Sequence, residues 1–154
     1  MVFSKTLIWM FSAAALLLCG CLSASGPVSV APGTTKTIKT DIRELGARRS
    51  YRVHMPSEAG EQRRLPLLIM LHGAFETAKS MERLTGFSEL ADRERFIAVY
   101  PNGIGLLGFL QHWNAGHCCG KAQKDGVDDI GFLETVLDDA ASRFPVRSEE
   151  HTSE

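Results

Sequence analysis

No stretch of one charge sign dominates this sequence: 17 lysines and arginines stand against 18 aspartates and glutamates, a formal net charge of −1, with both signs scattered. There is no basic stripe to neutralise a phosphate backbone, so nucleic acid is excluded as a partner, and the net charge is too small to steer a ligand. Long apolar runs are missing as well. The longest, residues 7–18 (LIWMFSAAALLL), falls short of the roughly 20 residues that a membrane-spanning helix needs. Cysteine is sparse, four in 154 residues, which excludes a disulfide framework. No internal repeat is visible, so a solenoid is excluded too. Disorder is equally out of place, because 44% apolar and 23% charged residues are the proportions of a globular chain.

What is present begins with an export signal, in which Lys5 supplies the positive region ahead of the apolar run. Leu18-Cys19-Gly20-Cys21 then resembles the lipobox of bacterial lipoproteins, whose cysteine after a small residue is acylated and becomes the mature N-terminus. That resemblance points to Cys21 as the lipidated residue, with ordinary cleavage near residues 23–25 as the alternative. Either route sends the protein out of the cytoplasm, to the periplasm or the medium, where disulfides persist, and the first adds contact with the membrane through the lipid anchor. Residues 1–20 are therefore read as leader and 21–35, rich in Ser, Gly, Pro, Ala and Val, as a flexible linker. Residues 36–146 are read as the folded domain. Removal of the leader takes Lys5 with it and leaves 16 basic against 18 acidic residues, a net charge of −2.

Within the domain, two-residue alternation over 36–43 and 49–56 predicts half-exposed strands, with Tyr51, Val53 and Met55 opposite Arg52 and His54. The run 65–71 (LPLLIML) loses alternation and is expected to be a strand covered on both faces, in the middle of a sheet. Helical spacing predicts a helix near 80–94, with Thr85-Gly86 as a capping signal, and another near 128–143 begun by Asp128 or Asp129. Residues 96–100 (FIAVY) form a further strand, closed by the turn Pro101-Asn102-Gly103. Strands alternating with helices predict an α/β fold with a mostly parallel sheet.

The strand at 65–71 stops abruptly at His72-Gly73-Ala74. Together with residues 49–56 (RSYRVHMP), 66–73 (PLLIMLHG), 85–100 (TGFSELADRERFIAVY), Pro101-Asn102-Gly103, 113–116 (WNAG) and 127–132 (VDDIGF), it resembles the polyhydroxybutyrate depolymerase and feruloyl esterase family of secreted α/β-hydrolase esterases. The resemblance covers about residues 43–145. It implies the amino-terminal part of an α/β-hydrolase fold and a serine esterase that cleaves feruloyl esters on plant polysaccharide or hydroxyalkanoate polyesters, without metal or cofactor. It further implies that the backbone N–H of Ala74, with Phe75 as a second candidate, supplies half of an oxyanion hole. His72, Gly73 and Trp113 become candidate substrate contacts, although a histidine at a strand end also suits a buried structural role, and Trp113 simple loop packing.

Three roles have no candidate. No Gly-x-Ser-x-Gly turn occurs in the chain, and the serine, the histidine base and its carboxylate partner would all follow it. After Pro145-Val146 comes RSEEHTSE (147–154), which holds no core position and resembles the in-frame translation of a sequencing adapter; it is expected to be a non-native tail on a truncated, inactive chain. His112, His117, Cys118 and Cys119 match no zinc spacing. The cysteines are expected either to bond elsewhere in a longer chain or to join as a vicinal pair, and Asp128 and Asp129 to serve a helix start rather than catalysis. An exported module that grips carbohydrate without hydrolysis is the second class of function the sequence allows. From the lipobox, Cys21→Ala is expected to abolish palmitate incorporation in a bacterial host; equal labelling of the variant would replace lipidation by plain secretion.

Overall fold

In a computed structural model, residues 29–58, 64–105 and 108–147 are described, so Cys21, the leader and residues 148–154 of the tail lie outside the described residues. Four strands form one sheet in the order β1-β2-β4-β3, where β1 is Thr34–Glu44, β2 Ala47–Met55, β3 Leu67–Ile69 and β4 Ile97–Pro101. The sheet is mixed rather than mostly parallel: β1–β2 and β2–β4 are antiparallel, and only β3–β4 is parallel. The hairpin explains the first pairing, because Leu45 and Gly46 both take positive φ (50° and 81°), as a two-residue turn between antiparallel strands requires.

β4 is the strand covered on both faces, with all five residues buried. Ile97 and Val99 join Tyr51, Val53, Phe132, Val136 and Ala140 on one side, while Ala98 and Tyr100 pack with Met70, Ala78 and Ala91 on the other. The first layer rests under helix α4 (Asp129–Arg143) and the second under α1 (Ala78–Thr85) and α2 (Phe87–Glu94). The expected single helix at 80–94 is thus two. Gly86 adopts φ 63°, which ends α1 and cannot continue a right-handed helix. A short α3 (Gly120–Lys124) was given no place by the sequence pattern.

The run 65–71 departs most from expectation. Only Leu67–Ile69 is strand, it lies at the end of the described sheet, and Leu68 and Leu71 are 39% and 43% exposed. An unbroken apolar run gives no sign of which neighbour supplies the second cover, and among the described residues only Val146 reaches its far side, opposite Leu65.

One buried cation joins these layers. Arg49, on β2, is 2% exposed and donates to Glu44 Oε2 (2.5 Å), Asp129 Oδ1 (2.7 Å) and the Asn102 carbonyl (3.3 Å). Its guanidinium carbon sits 3.8 Å from the Phe132 ring centroid and 5.8 Å from that of Trp113. Removing one member of such a buried pair strands the other charge, so Arg49→Ala is expected to cost about 3–5 kcal/mol in denaturant melts. Arg48→Ala, whose partner Asp41 is fully exposed, is expected to leave the midpoint nearly unchanged. Equal effects at the two positions would remove Arg49 from its central place.

Candidate active site

Because β3 and β4 run parallel, the segments leaving their carboxyl ends meet at one end of the sheet, and ligand sites of α/β folds lie there. From β3 comes His72-Gly73-Ala74-Phe75; from β4 comes Pro101-Asn102-Gly103 and a hairpin-like return through Gln111, His112 and Trp113. The bridge Glu76–Gln111 ties the two, and the bridge Ile104–His112 closes the return of the second on itself.

His72 is 3% exposed and both ring nitrogens are engaged by backbone. The Gly103 N–H donates to Nε2 at 3.0 Å, so Nε2 carries no proton, and Nδ1–H donates to the Gly73 carbonyl at 2.8 Å. Burial pushes its pKa below the usual 6.5, consistent with a neutral ring. The ring is therefore a strut: it couples the two loops and leaves neither nitrogen for a substrate. Gly103 is required for this contact, since a Cβ there would lie 2.5 Å from the His112 carbonyl oxygen and 3.2 Å from His72 Cε1.

Trp113 serves the same strut. Its Nε1–H donates to the His72 carbonyl at 3.0 Å and its ring lies 4.9 Å from the imidazole, on the core side of the turn. Gly73 is exposed, donates its N–H to Glu76 Oε2 (3.1 Å), and accepts from the Glu76 N–H (3.2 Å). A Cβ at Gly73 would meet only that carboxylate at an ordinary 3.5 Å, so packing alone does not demand glycine.

Ala74 and Phe75 differ in what they offer. The Phe75 N–H is held by the Gln111 carbonyl at 2.9 Å, whereas the exposed Ala74 N–H meets no acceptor among the described residues. The turn thus presents one open donor. Phe75 has φ 67°, a left-handed conformation that costs a bulky residue about 1–3 kcal/mol, and its ring is 66% exposed and edge-on to His112 at 4.8 Å. Ala74, Phe75, His112, His117, Cys118 and Cys119 line a cleft of about 450 Å3, within the range of small-molecule sites. Cys118 and Cys119 are joined as a vicinal disulfide in its wall. No group of three potential metal-ligating side chains occurs among the described residues.

Asp128 caps α4 by accepting from the Gly131 N–H (2.9 Å), and Asp129 pairs with Arg49 and accepts from the Asn114 N–H (2.6 Å). Gln111, Glu76 and Gly103 hold the turn, yet sequence reasoning gave the first two no role and Gly103 only a place in a turn. Nothing in their local pattern marks a backbone contact made across 30 or more residues.

The chain is 40% identical over 68 residues to the bifunctional acetylxylan esterase/xylanase XynS20E of Neocallimastix patriciarum, covering 44% of this chain and 10% of that protein. It is 27% identical over 104 residues to NocK of Nocardia uniformis subsp. tsuyamanensis, described as an esterase, covering 67% and 29%. Among solved structures, an S-formylglutathione hydrolase from Agrobacterium tumefaciens superposes with a TM-score of 0.52 at 11% identity, over 77% of this chain and 47% of that one. The Staphylococcus aureus serine hydrolase FphF gives 0.50 at 15% identity, over 76% and 44%. No family model matches. The sheet and its helices are part of an α/β-hydrolase fold, and the chain spans less than half the length of any of these four proteins.

His72 also sets a pH dependence. Its folded pKa lies below the unfolded 6.5, so the unfolded chain binds the extra proton, and the stability contributed by neutral His72 is present above about pH 6.5 and lost as pH falls through it. His72→Gln, which can still accept from Gly103, is expected to flatten the stability–pH slope between pH 6.5 and 5 relative to the parent. An unchanged slope would show that His72 titrates as it does in the unfolded chain.

Proposed function

We propose that this chain carries the oxyanion-binding part of a serine-type carboxylic-ester hydrolase. The observation that carries the reading is the Ala74 N–H, without an acceptor among the described residues, in a turn that follows β3, is braced by His72 and lines the cleft. An acyl transfer develops negative charge on the carbonyl oxygen, and a fixed N–H aimed at that position lowers the barrier by about 3–4 kcal/mol. Two relatives that bear esterase names support this class of chemistry. Nucleophile, base and orienting carboxylate lie beyond residues 1–154 in this reading, so the chain by itself turns nothing over. The family resemblance favours a feruloyl ester on plant polysaccharide or a hydroxyalkanoate polyester as substrate. The acetylxylan esterase name of one relative leans toward the polysaccharide. Export with a lipid anchor at Cys21 would place the enzyme where such polymers are met.

The test assays the purified chain on p-nitrophenyl acetate and methyl ferulate beside a version extended with the second half of a family member. Serine-dependent turnover is expected only in the extended protein. There, Ala74→Pro, which deletes the open N–H, is expected to lower kcat by about 100- to 1,000-fold with a smaller change in KM. Serine-independent turnover by the short chain would overturn the reading.

A further inference from the structure

Cys118 and Cys119 are adjacent, and the bond between them joins no two segments of the chain. A disulfide stabilises by closing a loop in the unfolded chain, and the gain grows with the length of that loop. Between neighbours there is almost no loop to close. The bond therefore holds nothing together at a distance, and its role is to be sought in its place and its reactivity. Its place is the wall of the cleft of about 450 Å3 beside Ala74, where both cysteines are half-buried rather than sealed in the core. Phe75, His112, His117, Gly120 and Gln123 stand around them, and no carboxylate is among these lining residues to repel an approaching thiolate.

The peptide unit between the two cysteines also anchors the loop that bears Trp113. Its carbonyl, on Cys118, accepts from the Ala115 N–H at 2.5 Å, and its N–H, on Cys119, donates to the Trp113 carbonyl at 3.2 Å. The disulfide closes a small covalent ring that contains this peptide unit, so the ring and the two hydrogen bonds constrain the same atoms. From Trp113 the path onward is short. The indole Nε1–H donates to the His72 carbonyl at 3.0 Å, and the His72 ring braces the turn that carries Ala74. Opening the ring leaves the peptide unit held by hydrogen bonds alone, beside residues 115–117, which are exposed.

We infer that the Cys118–Cys119 disulfide is a thiol-exchange site that takes a small monothiol from the cleft, and that its opening loosens the brace behind Ala74. The thiolate of the incoming molecule forms a bond to one Sγ, the Sγ–Sγ bond breaks, and its electron pair leaves on the other cysteine, which takes a proton from water. A second monothiol then attacks the mixed disulfide, releasing the symmetrical small disulfide and leaving two cysteine thiols. Two monothiols are oxidised for each protein disulfide reduced, and the reverse steps restore the bond. Exposed disulfides are the labile ones, and this pair is open to the cleft in the folded chain. The inference is independent of the esterase reading, because it needs thiol exchange and no turnover of an ester.

In the test, the whole chain, purified without reductant, is treated with 2-mercaptoethanol in the absence of denaturant, alkylated with iodoacetamide and mapped by mass spectrometry. The peptide holding Cys118 and Cys119 is expected to take no alkyl group before treatment, one alkyl group beside one mercaptoethanol adduct at intermediate times, and two alkyl groups at the end. In the reduced chain, hydrogen exchange at the Trp113 indole N–H and the Gly103 amide is expected to quicken about tenfold, with the amides of β4 unchanged. Hydroxyethyl disulfide should reverse both effects. Joint Cys118→Ala and Cys119→Ala substitution should give the fast exchange without thiol and no response to it. Should that variant fail to fold, the reversal on the parent chain carries the test. Alkylation before any thiol is added, a bond from either residue to Cys19 or Cys21, reduction that needs denaturant, or exchange unchanged by reduction would each overturn the inference.

Discussion

The guanidinium of Arg49 is the constraint on which the rest of the arrangement depends. A cation 98% removed from solvent is tolerated only if its charge is answered, and Glu44, Asp129 and the Asn102 carbonyl engage its two terminal nitrogens from three different segments, with Nε left without a partner among the described residues. One side chain therefore fixes the end of the first hairpin, the exit of β4 and the start of α4 relative to one another. The rings of Phe132 and Trp113 lie against it, so the aromatic packing of the core and the loop that bears Trp113 are set by the same group.

From that point the order passes outward by hydrogen bonds of defined direction. Trp113 reaches the carbonyl of His72, the imidazole reaches Gly103 and Gly73, and Gln111 takes the N–H of Phe75. The strained φ of Phe75 is held because its own N–H is bound by the Gln111 carbonyl and the following Glu76 N–H by that of Gly73, and what remains unbound is the N–H of Ala74. A site of this kind is preorganised by its support. The turn does not need to be stiff by itself, since two loops and a tryptophan make it so.

Much of the fold was legible in the sequence because it rests on local periodicity. Alternation marked β1 and β2, the run FIAVY marked β4, and helical spacing marked α4 to within a residue or two. The break at Gly86 was signalled by Thr85-Gly86 as a cap with a shorter turn ending at residues 82–84 before it, and what the pattern did not show is that this turn is a full helix of its own. The mixed sheet escaped because strand direction depends on partners, and the exposure of Leu68 and Leu71 because an apolar run looks the same whether one face or two are covered. At the site, the His-Gly turn was readable as a motif. The division of labour between Ala74 and Phe75 was not, since it hangs on a carbonyl at Gln111, and neither was the pairing of Arg49 with Asp129, eighty positions away.

The interruption at Gly86 leaves two helices of eight residues each. Isolated helices need about 12–15 residues to hold together in water, because nucleation costs more than so few turns return. α1 and α2 are thus helical by virtue of Ala78 and Ala91 lying against Ala98 and Tyr100 on β4. Their far-ultraviolet ellipticity becomes a reporter of whether the strand beneath them is in place, and secondary and tertiary order in this layer should be lost at one and the same midpoint.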